Sequence, residues 1–269
     1  LSLPQQTFKL NLKLVFEEEE MQVIAKRPET LTAEPFTYCP GCTHGIATRL
    51  IAEAIEEHGL INLMAGVAPV GCAVFAYKFF NFDMAEAAHG RAPAVATGMK
   101  RGRPNMHIFT YQGDGDLAAI GTAEIVHAAN RGEHISIFFI NNAIYGMTGG
   151  QMAPTTLAGM KTTTSPYGRN PDDIGYPIRM CELLASLVAP YYIERVSLLS
   201  PGDILRAKKA VNKAIQYNKE ERGFTFIEFI STCPTNWGFD PDKAREWAKE
   251  NMLPYYKLGV FRDKGEEVQ

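Results

Sequence analysis

The chain has 269 residues, of which 46% are hydrophobic and 21% charged, enough apolar sequence to bury a full core and too much for a disordered centre. Its 27 Lys and Arg against 30 Asp and Glu leave a formal charge of −3, so no electrostatic footprint points to nucleic acid or an anionic membrane as partner. No apolar run approaches the roughly 20 residues of a membrane helix and the start lacks a secretory signal, which together predict a cytoplasmic protein.

Residues 1–20 differ in character from the rest. They end in Glu17-Glu18-Glu19-Glu20 before Met21, which marks Met21 as a candidate start and residues 1–20 as a leader of uncertain origin. Residues 21–269 are read as one domain. Ile46, Leu50, Ile51, Ala54 and Ile55 recur at helical spacing within Thr43–His58, and Gly59 is placed to stop that helix. Leu63–Val67 reads as a strand and Ala94–Arg101 as a small-residue helix. An apolar strand follows at His107–Tyr111, then a helix at Leu117–Asn130 and a second apolar strand at Ile135–Ile140. Later come a helix over Asp172–Val188, a strand Tyr192–Val196, a helix Pro201–Tyr217 with proline in its first turn, and a strand Thr225–Ile230. This alternation predicts an α/β fold, a doubly wound and mainly parallel sheet with helices on both faces. The stretch Ala143–Pro171 is rich in Gly, Thr and Pro without periodicity. Following a strand end as it does, it is expected to be a functional loop at the ligand-binding edge.

Gln112-Gly113-Asp114-Gly115-Asp116 leaves a strand and opens a helix, where glycines let backbone approach a phosphate and free N–H groups suit an anion. Twenty-five residues separate Gly115 from Asn141-Asn142, which end the next strand, so Asp114 and Asn142 are expected side by side at one sheet edge. A carboxylate, an amide oxygen, a backbone carbonyl, two diphosphate oxygens and a water would complete the octahedron that magnesium prefers.

The five cysteines argue for metal or redox work rather than disulfides. Cys39-Pro40-Gly41-Cys42 sets two thiols in a tight turn before a helix, and Cys72 and Cys233 each follow a predicted strand. Three segments would thus bring four thiolates to one edge. That number fits a [4Fe–4S] cluster, and spacing alone leaves a four-cysteine zinc site equally open. Cys181, inside a predicted amphipathic helix, is assigned to packing.

The Gly-Asp-Gly and Asn-Asn pair resembles the cofactor signature of thiamine-diphosphate enzymes. Together, Tyr38–Gly45, Gly66–Cys72, His89-Gly90-Arg91-Ala92, Gly113–Asp116, Asn141–Gln151 and Ser231–Pro234 resemble the thiamine-binding (beta) subunit of the 2-oxoacid:ferredoxin oxidoreductases over roughly residues 35–256. The members acting on 2-oxoisovalerate or 2-oxoglutarate look nearest. Thr43 stands where many such subunits have glycine, which touches only local turn geometry.

The resemblance implies thiamine diphosphate and Mg2+ held by Asp114, Asn142 and the carbonyl of Ile144, with Gly113, Gly115 and Asp116 around the diphosphate. It also implies a [4Fe–4S] cluster on Cys39, Cys42, Cys72 and Cys233. His44, His89 and Arg91 are candidates for polar contacts near the cofactor, and Phe75 and Met147 for an apolar pocket wall. The implied activity is oxidative decarboxylation of a 2-oxoacid to acyl-CoA and CO2, with electrons leaving through the cluster to ferredoxin. The glutamate that activates the thiamine ring is expected on a pyrimidine-binding alpha subunit, with gamma and delta subunits completing an enzyme that this chain cannot replace alone. Two alternatives remain at this level: a non-oxidative thiamine decarboxylase or synthase subunit with structural zinc, which would carry its pyrimidine domain in the same chain, and a zinc-stabilised binding module, which would have no use for the diphosphate motif.

Overall fold

The computed structural model describes residues 26–266; the expected leader over residues 1–20 lies outside them. In two strands at the centre, β3 (His107–Gly113) and β4 (Ile135–Asn141), nearly every residue is buried. A strand of that kind needs cover on both faces. β1 (Met64–Ala68) and β2 (Asp83–Glu86) extend the sheet on one side, and β6 (Thr225–Ile230), β5 (Tyr192–Ser197) and β7 (Gly259–Asp263) on the other, in the order β2-β1-β3-β4-β6-β5-β7. All pairings are parallel except that of β7 with β5.

Helices α1 (His44–Glu57) and α7 (Pro201–Lys219) cover one face, packing Ile51, Ile55, Val211 and Ile215 onto Phe109, Phe138 and Phe229. On the other face lie α3 (Ala92–Gly102), α4 (Thr122–Arg131) and α6 (Met180–Ala185), burying Ala96, Ile125 and Leu184 against Ile108, Ile137 and Phe226. Local chemistry sets their ends. The Ser200 hydroxyl caps α7 by accepting from the Asp203 N–H, Pro201 opens it, and Gly132 closes α4 at φ 63. The doubly wound sheet expected from the alternation is present.

Two expected helices are broken. Instead of one helix over Leu117–Asn130, a π-helical turn at Gly115–Ile120 gives way to α4 at Gly121. The reason is a backbone approach: Gly90 (φ 77) crosses here, and a Cβ on Gly121 would meet the Gly90 oxygen at 2.7 Å. The helix expected over Asp172–Val188 is two short ones, α5 (Pro171–Ile174) and α6 (Met180–Ala185). Between them the Arg169 guanidinium takes the carbonyls of Gly175 and Tyr176 at 2.9 and 3.0 Å, and Ile178 donates to Pro154, so these groups are not free for helical bonds. The strand β2, the short helices α8 (Pro234–Trp237), α9 (Pro241–Trp247) and α10 (Leu253–Tyr255), and the antiparallel β7 carry no sequence signal we identified. α2 (Ala76–Phe79) continues a 3-10 turn that begins at Cys72.

Candidate functional site

Four strands deliver chemistry to the same edge of the sheet, the carboxyl ends of β1, β3, β4 and β6. In open parallel sheets that edge receives ligands. β3 and β4 pair with Gly113 opposite Ile140, which sets Asp114 and Asn142 next to each other just past the last rung, as the motif spacing predicts. Asp114 is buried. One carboxylate oxygen accepts from the Gly115 N–H at 3.1 Å, and the other from the Ile144 N–H at 3.2 Å and the Thr155 hydroxyl at 2.8 Å. Burial pushes its pKa up to about 7, against the pull of these donors.

The two asparagines divide the work. Asn141 faces the protein: its amide donates to Glu228 at 2.8 Å and its oxygen accepts from the Ala143 N–H at 3.2 Å, fixing a turn in which Ala143 adopts φ 58. Glu228 is in turn paired at 2.9 Å with Arg195, both fully buried. The Asn142 side-chain oxygen is buried and has no proton donor. It lines a cavity of about 110 Å³ together with Asp114, Ile144, His44, His89 and Met147. A buried acceptor without a donor is costly unless something positive meets it. A cation there would satisfy Asn142 and remove the penalty on ionised Asp114, so this donor set fits a hard divalent metal.

Other expected site residues are distributed differently. Asp116 also borders the cavity, but its carboxylate is occupied: it takes His89 Nδ1 at 2.6 Å, the Gly90 N–H at 2.8 Å and the Gln112 amide at 2.5 Å. Its role is to brace the loop and aim His89. Arg91 does not line the cavity; it is drawn away by an ion pair with Glu124 on α4 and a bond to the Ile120 carbonyl. Phe75 also faces elsewhere, packing on the core with Lys78 over its ring, whereas Met147 is a wall of the cavity. His44 is buried, stacked on Tyr38 and bonded through Nδ1 to the Tyr111 hydroxyl at 2.7 Å; burial pushes its pKa down to about 4, so the ring is neutral.

The cysteines approach this edge from three segments. The Cys42 N–H donates to the Cys39 carbonyl at 3.0 Å, closing the turn before α1. That turn is pinned to the chain leaving β6, by Thr43 to Ser231 at 2.6 Å and by the Thr232 hydroxyl to the Gly41 carbonyl at 2.8 Å. Cys72, beyond β1, and Cys233, beyond β6, both bring their sulfurs against Gly146 of the long loop. All are free thiols. Burial pushes Cys42 up to about 12 and Cys72 up to about 11, and the proximity of the other cysteines adds to it. Among the described residues no three His, Cys, Asp or Glu side chains converge tightly enough to hold a single metal ion. Cys181 is buried in α6, as its amphipathic setting predicts. Sequence reading gave no role to Thr155 or Asn236, and quoted Gln112 with the motif without its bond to Asp116. Thr155 falls in the loop singled out for function, but nothing in its neighbours marks it.

Comparison with known proteins adds a family. Residues 69–229 match the thiamine pyrophosphate enzyme C-terminal TPP binding domain. The chain is 50% identical over 232 residues to the ketoisovalerate oxidoreductase subunit VorA of Methanothermobacter marburgensis, covering 86% of this chain and 48% of that protein, so it spans about half the length of that relative. It is 38% identical over 242 residues to the 2-oxoglutarate synthase subunit KorB of Methanocaldococcus jannaschii, covering 87% of this chain and 83% of that one. The solved 2-oxoglutarate:ferredoxin oxidoreductase from Magnetococcus marinus, with 2-oxoglutarate, coenzyme A and succinyl-CoA bound, shares the fold. Its TM-score is 0.72, at 24% identity over 91% of this chain and 87% of that one.

Proposed function

Since the chain belongs to the thiamine-pyrophosphate-binding subunits of the 2-oxoacid:ferredoxin oxidoreductases, we propose that it anchors the diphosphate end of thiamine diphosphate through Mg2+ and serves oxidative decarboxylation of a 2-oxoacid to acyl-CoA and CO2. The observation that carries this reading is the buried, donorless oxygen of Asn142 beside Asp114. Asp114, Asn142 and the carbonyl of Ile144 would hold the metal, and the Gly113 and Gly115 backbone would lie along the diphosphate. His89, held by Asp116 at the cavity wall, would donate to a phosphate oxygen.

Cys39, Cys42, Cys72 and Cys233 would hold a [4Fe–4S] cluster, the four-thiolate complement such a cluster takes. Bound thiamine diphosphate supplies the electron sink that decarboxylation requires, and a cluster supplies a one-electron acceptor on the way to ferredoxin. The chain's own residues fix these groups in place. The pins from Thr43 to Ser231 and from Thr232 to Gly41 hold the cysteine turn against the β6 end, and the loop after Asn142 carries the metal ligands at one end and Gly146, beside two of the sulfurs, a few residues on.

The activating glutamate, the remaining clusters and much of the coenzyme A site would come from pyrimidine-binding alpha, gamma and delta subunits, in the cytoplasm. No helix among the described residues is long and apolar enough to cross a membrane. For the substrate, 2-oxoisovalerate fits better than 2-oxoglutarate. Met147 walls the cavity, and among its described lining residues there is no Lys or Arg to meet a second carboxylate.

The test is anaerobic purification followed by iron, zinc and acid-labile sulfide analysis, with calorimetric titration of thiamine diphosphate in Mg2+. About four irons and four sulfides per chain are expected, with thiamine diphosphate binding lost in Asp114→Ala while iron is retained. Zinc without sulfide would remove the electron path, and unchanged binding in Asp114→Ala would overturn the metal site. Turnover of the assembled enzyme on the two 2-oxoacids then tests the substrate; a preference for the dicarboxylate would reject 2-oxoisovalerate.

A further inference from the structure

Asn236, on the short helix α8, bridges the cysteine edge and the loop that leaves Asn142. Its side-chain nitrogen lies 3.3 Å from Cys233 Sγ and 2.7 Å from the Gly146 carbonyl oxygen. A primary amide nitrogen has two N–H bonds, and here each has an acceptor. The amide cannot be reversed, because its oxygen would then face a carbonyl that has no proton to give. The loop is shaped around this side chain. A Cβ on Gly150, which adopts φ 84, would come within 3.2 Å of the Asn236 Cβ and Oδ1 atoms, and a Cβ on Gly146 would come within 3.3 Å of Cys72 Sγ and 3.6 Å of Cys233 Sγ. Glycine at both positions lets the backbone approach closely enough for the Gly146 carbonyl to orient the amide toward the sulfur.

We propose that Asn236 is a positioning residue for electron transfer, whose N–H to the Cys233 sulfur raises the reduction potential of the cluster held there. This rests on reading Cys233 as a cluster ligand. Reduction adds one electron to the cluster, with no bond made or broken at the side chain. The added charge is shared by the sulfur ligands, so a hydrogen bond to sulfur stabilises the reduced form more than the oxidised one. Cys233 is buried, so water does not readily replace a lost donor, and the difference is felt in full.

The experiment compares wild type with Asn236→Leu and Asn236→Asp in the assembled enzyme, counting iron and sulfide and measuring the midpoint potential by redox titration followed by electron paramagnetic resonance. Both variants are expected to keep their iron and to shift to more negative potential by a several-fold loss in the reduction equilibrium, a tenfold loss being about 59 mV for a one-electron couple. The Asp variant, which also adds negative charge, should shift further. Unchanged potentials with iron retained would overturn the proposal. Loss of iron from both variants would also overturn it, making Asn236 a brace for Cys233 and nothing more. If only the Leu variant loses iron, the Asp variant decides. Wild type without iron would refute the cluster reading itself, a result the iron count separates from an unmoved potential.

Discussion

The two ends of the sheet treat polar groups in opposite ways. At the amino ends of the strands, Lys100 is buried to 7% exposure, yet all three of its N–H bonds are used: they go to the carbonyls of Pro104 and Met106 at 2.7 and 2.9 Å and to Glu221 at 2.5 Å. His134 lies 3.0 Å from the other oxygen of the same carboxylate. At the carboxyl ends, Asn142 is just as buried and its oxygen has no donor at all, while Asp114 is ionisable in a place that penalises its charge. Both ends are polar and enclosed. Both also keep buried side-chain atoms without a partner, His107 Nδ1 and the Asn218 oxygen at the amino ends, but only at the carboxyl ends does an orphaned acceptor line a cavity beside a buried carboxylate, and that distinction marks a candidate binding site better than burial or charge does.

The largest effect should come at the end that holds the cavity. Asp114→Ala is expected to weaken Mg2+-dependent thiamine diphosphate binding by at least about 100-fold, since it removes the proposed direct ligand where even outer partners are worth 10–100-fold; calorimetry checks it. Retained affinity would mean that the unsatisfied edge is not the metal site.

A second effect follows from the sign of the Asp114 shift. Its folded pKa, about 7, lies above the ordinary value of 3.8. The fold therefore favours the protonated acid, and metal-free protein loses that preference as pH rises from about 4 through about 7. At about 1.4 kcal/mol per pKa unit the loss is up to about 4 kcal/mol. Denaturant unfolding without divalent ions should show wild type falling more steeply than Asp114→Asn across that window. Parallel curves would assign the slope to other groups. Added Mg2+ and thiamine diphosphate should stabilise wild type most at the upper end, where Asp114 is ionised.

At the amino ends the prediction reverses. Lys100→Met leaves two carbonyls and Glu221 without their donor, which should cost about 2–3 kcal/mol of stability, seen as a lower denaturation midpoint. Thiamine diphosphate affinity in the protein that remains folded should be unchanged.

This contrast was only half visible in the sequence. The central strands β3 and β4 are short and rich in Ile and Phe, with glycine or polar residues at their ends, so their positions follow directly, and with them the adjacency of Asp114 and Asn142. The helix start at Pro201 and the stop at Gly59 were equally plain. The breaks were not, because the helix beyond Gly115 is interrupted by the Gly90 backbone, which lies 31 residues before Gly121, and the 172–188 segment is held open by Arg169. Long-range backbone contacts leave no periodicity to read. At the site, charge type identified Asp116, His89 and Arg91 as candidates but not their direction. Arg91 is claimed by Glu124 and the Asp116 carboxylate by Gln112, His89 and Gly90, both decided by packing.

The finest test lies one bond behind the proposed metal site. Thr155 donates its hydroxyl to Asp114 at 2.8 Å, and the Tyr256 hydroxyl donates to the Thr155 carbonyl at 2.5 Å, which holds the backbone whatever the side chain. Thr155→Val keeps the shape and removes one donor, while the Ile144 N–H still reaches the same oxygen. The loss should therefore sit at the low end of the outer-partner range, about tenfold in Mg2+-dependent affinity, with Thr155→Ser restoring it. A second reading distinguishes this from general loosening. The lost bond favoured the carboxylate, so the Asp114 pKa must rise further, and the pH at which metal-dependent binding is half developed should move up in the Val variant and return in the Ser variant. A uniform loss at every pH would show that Thr155 only holds the loop, and that Asp114 is tuned by burial without help from its neighbour.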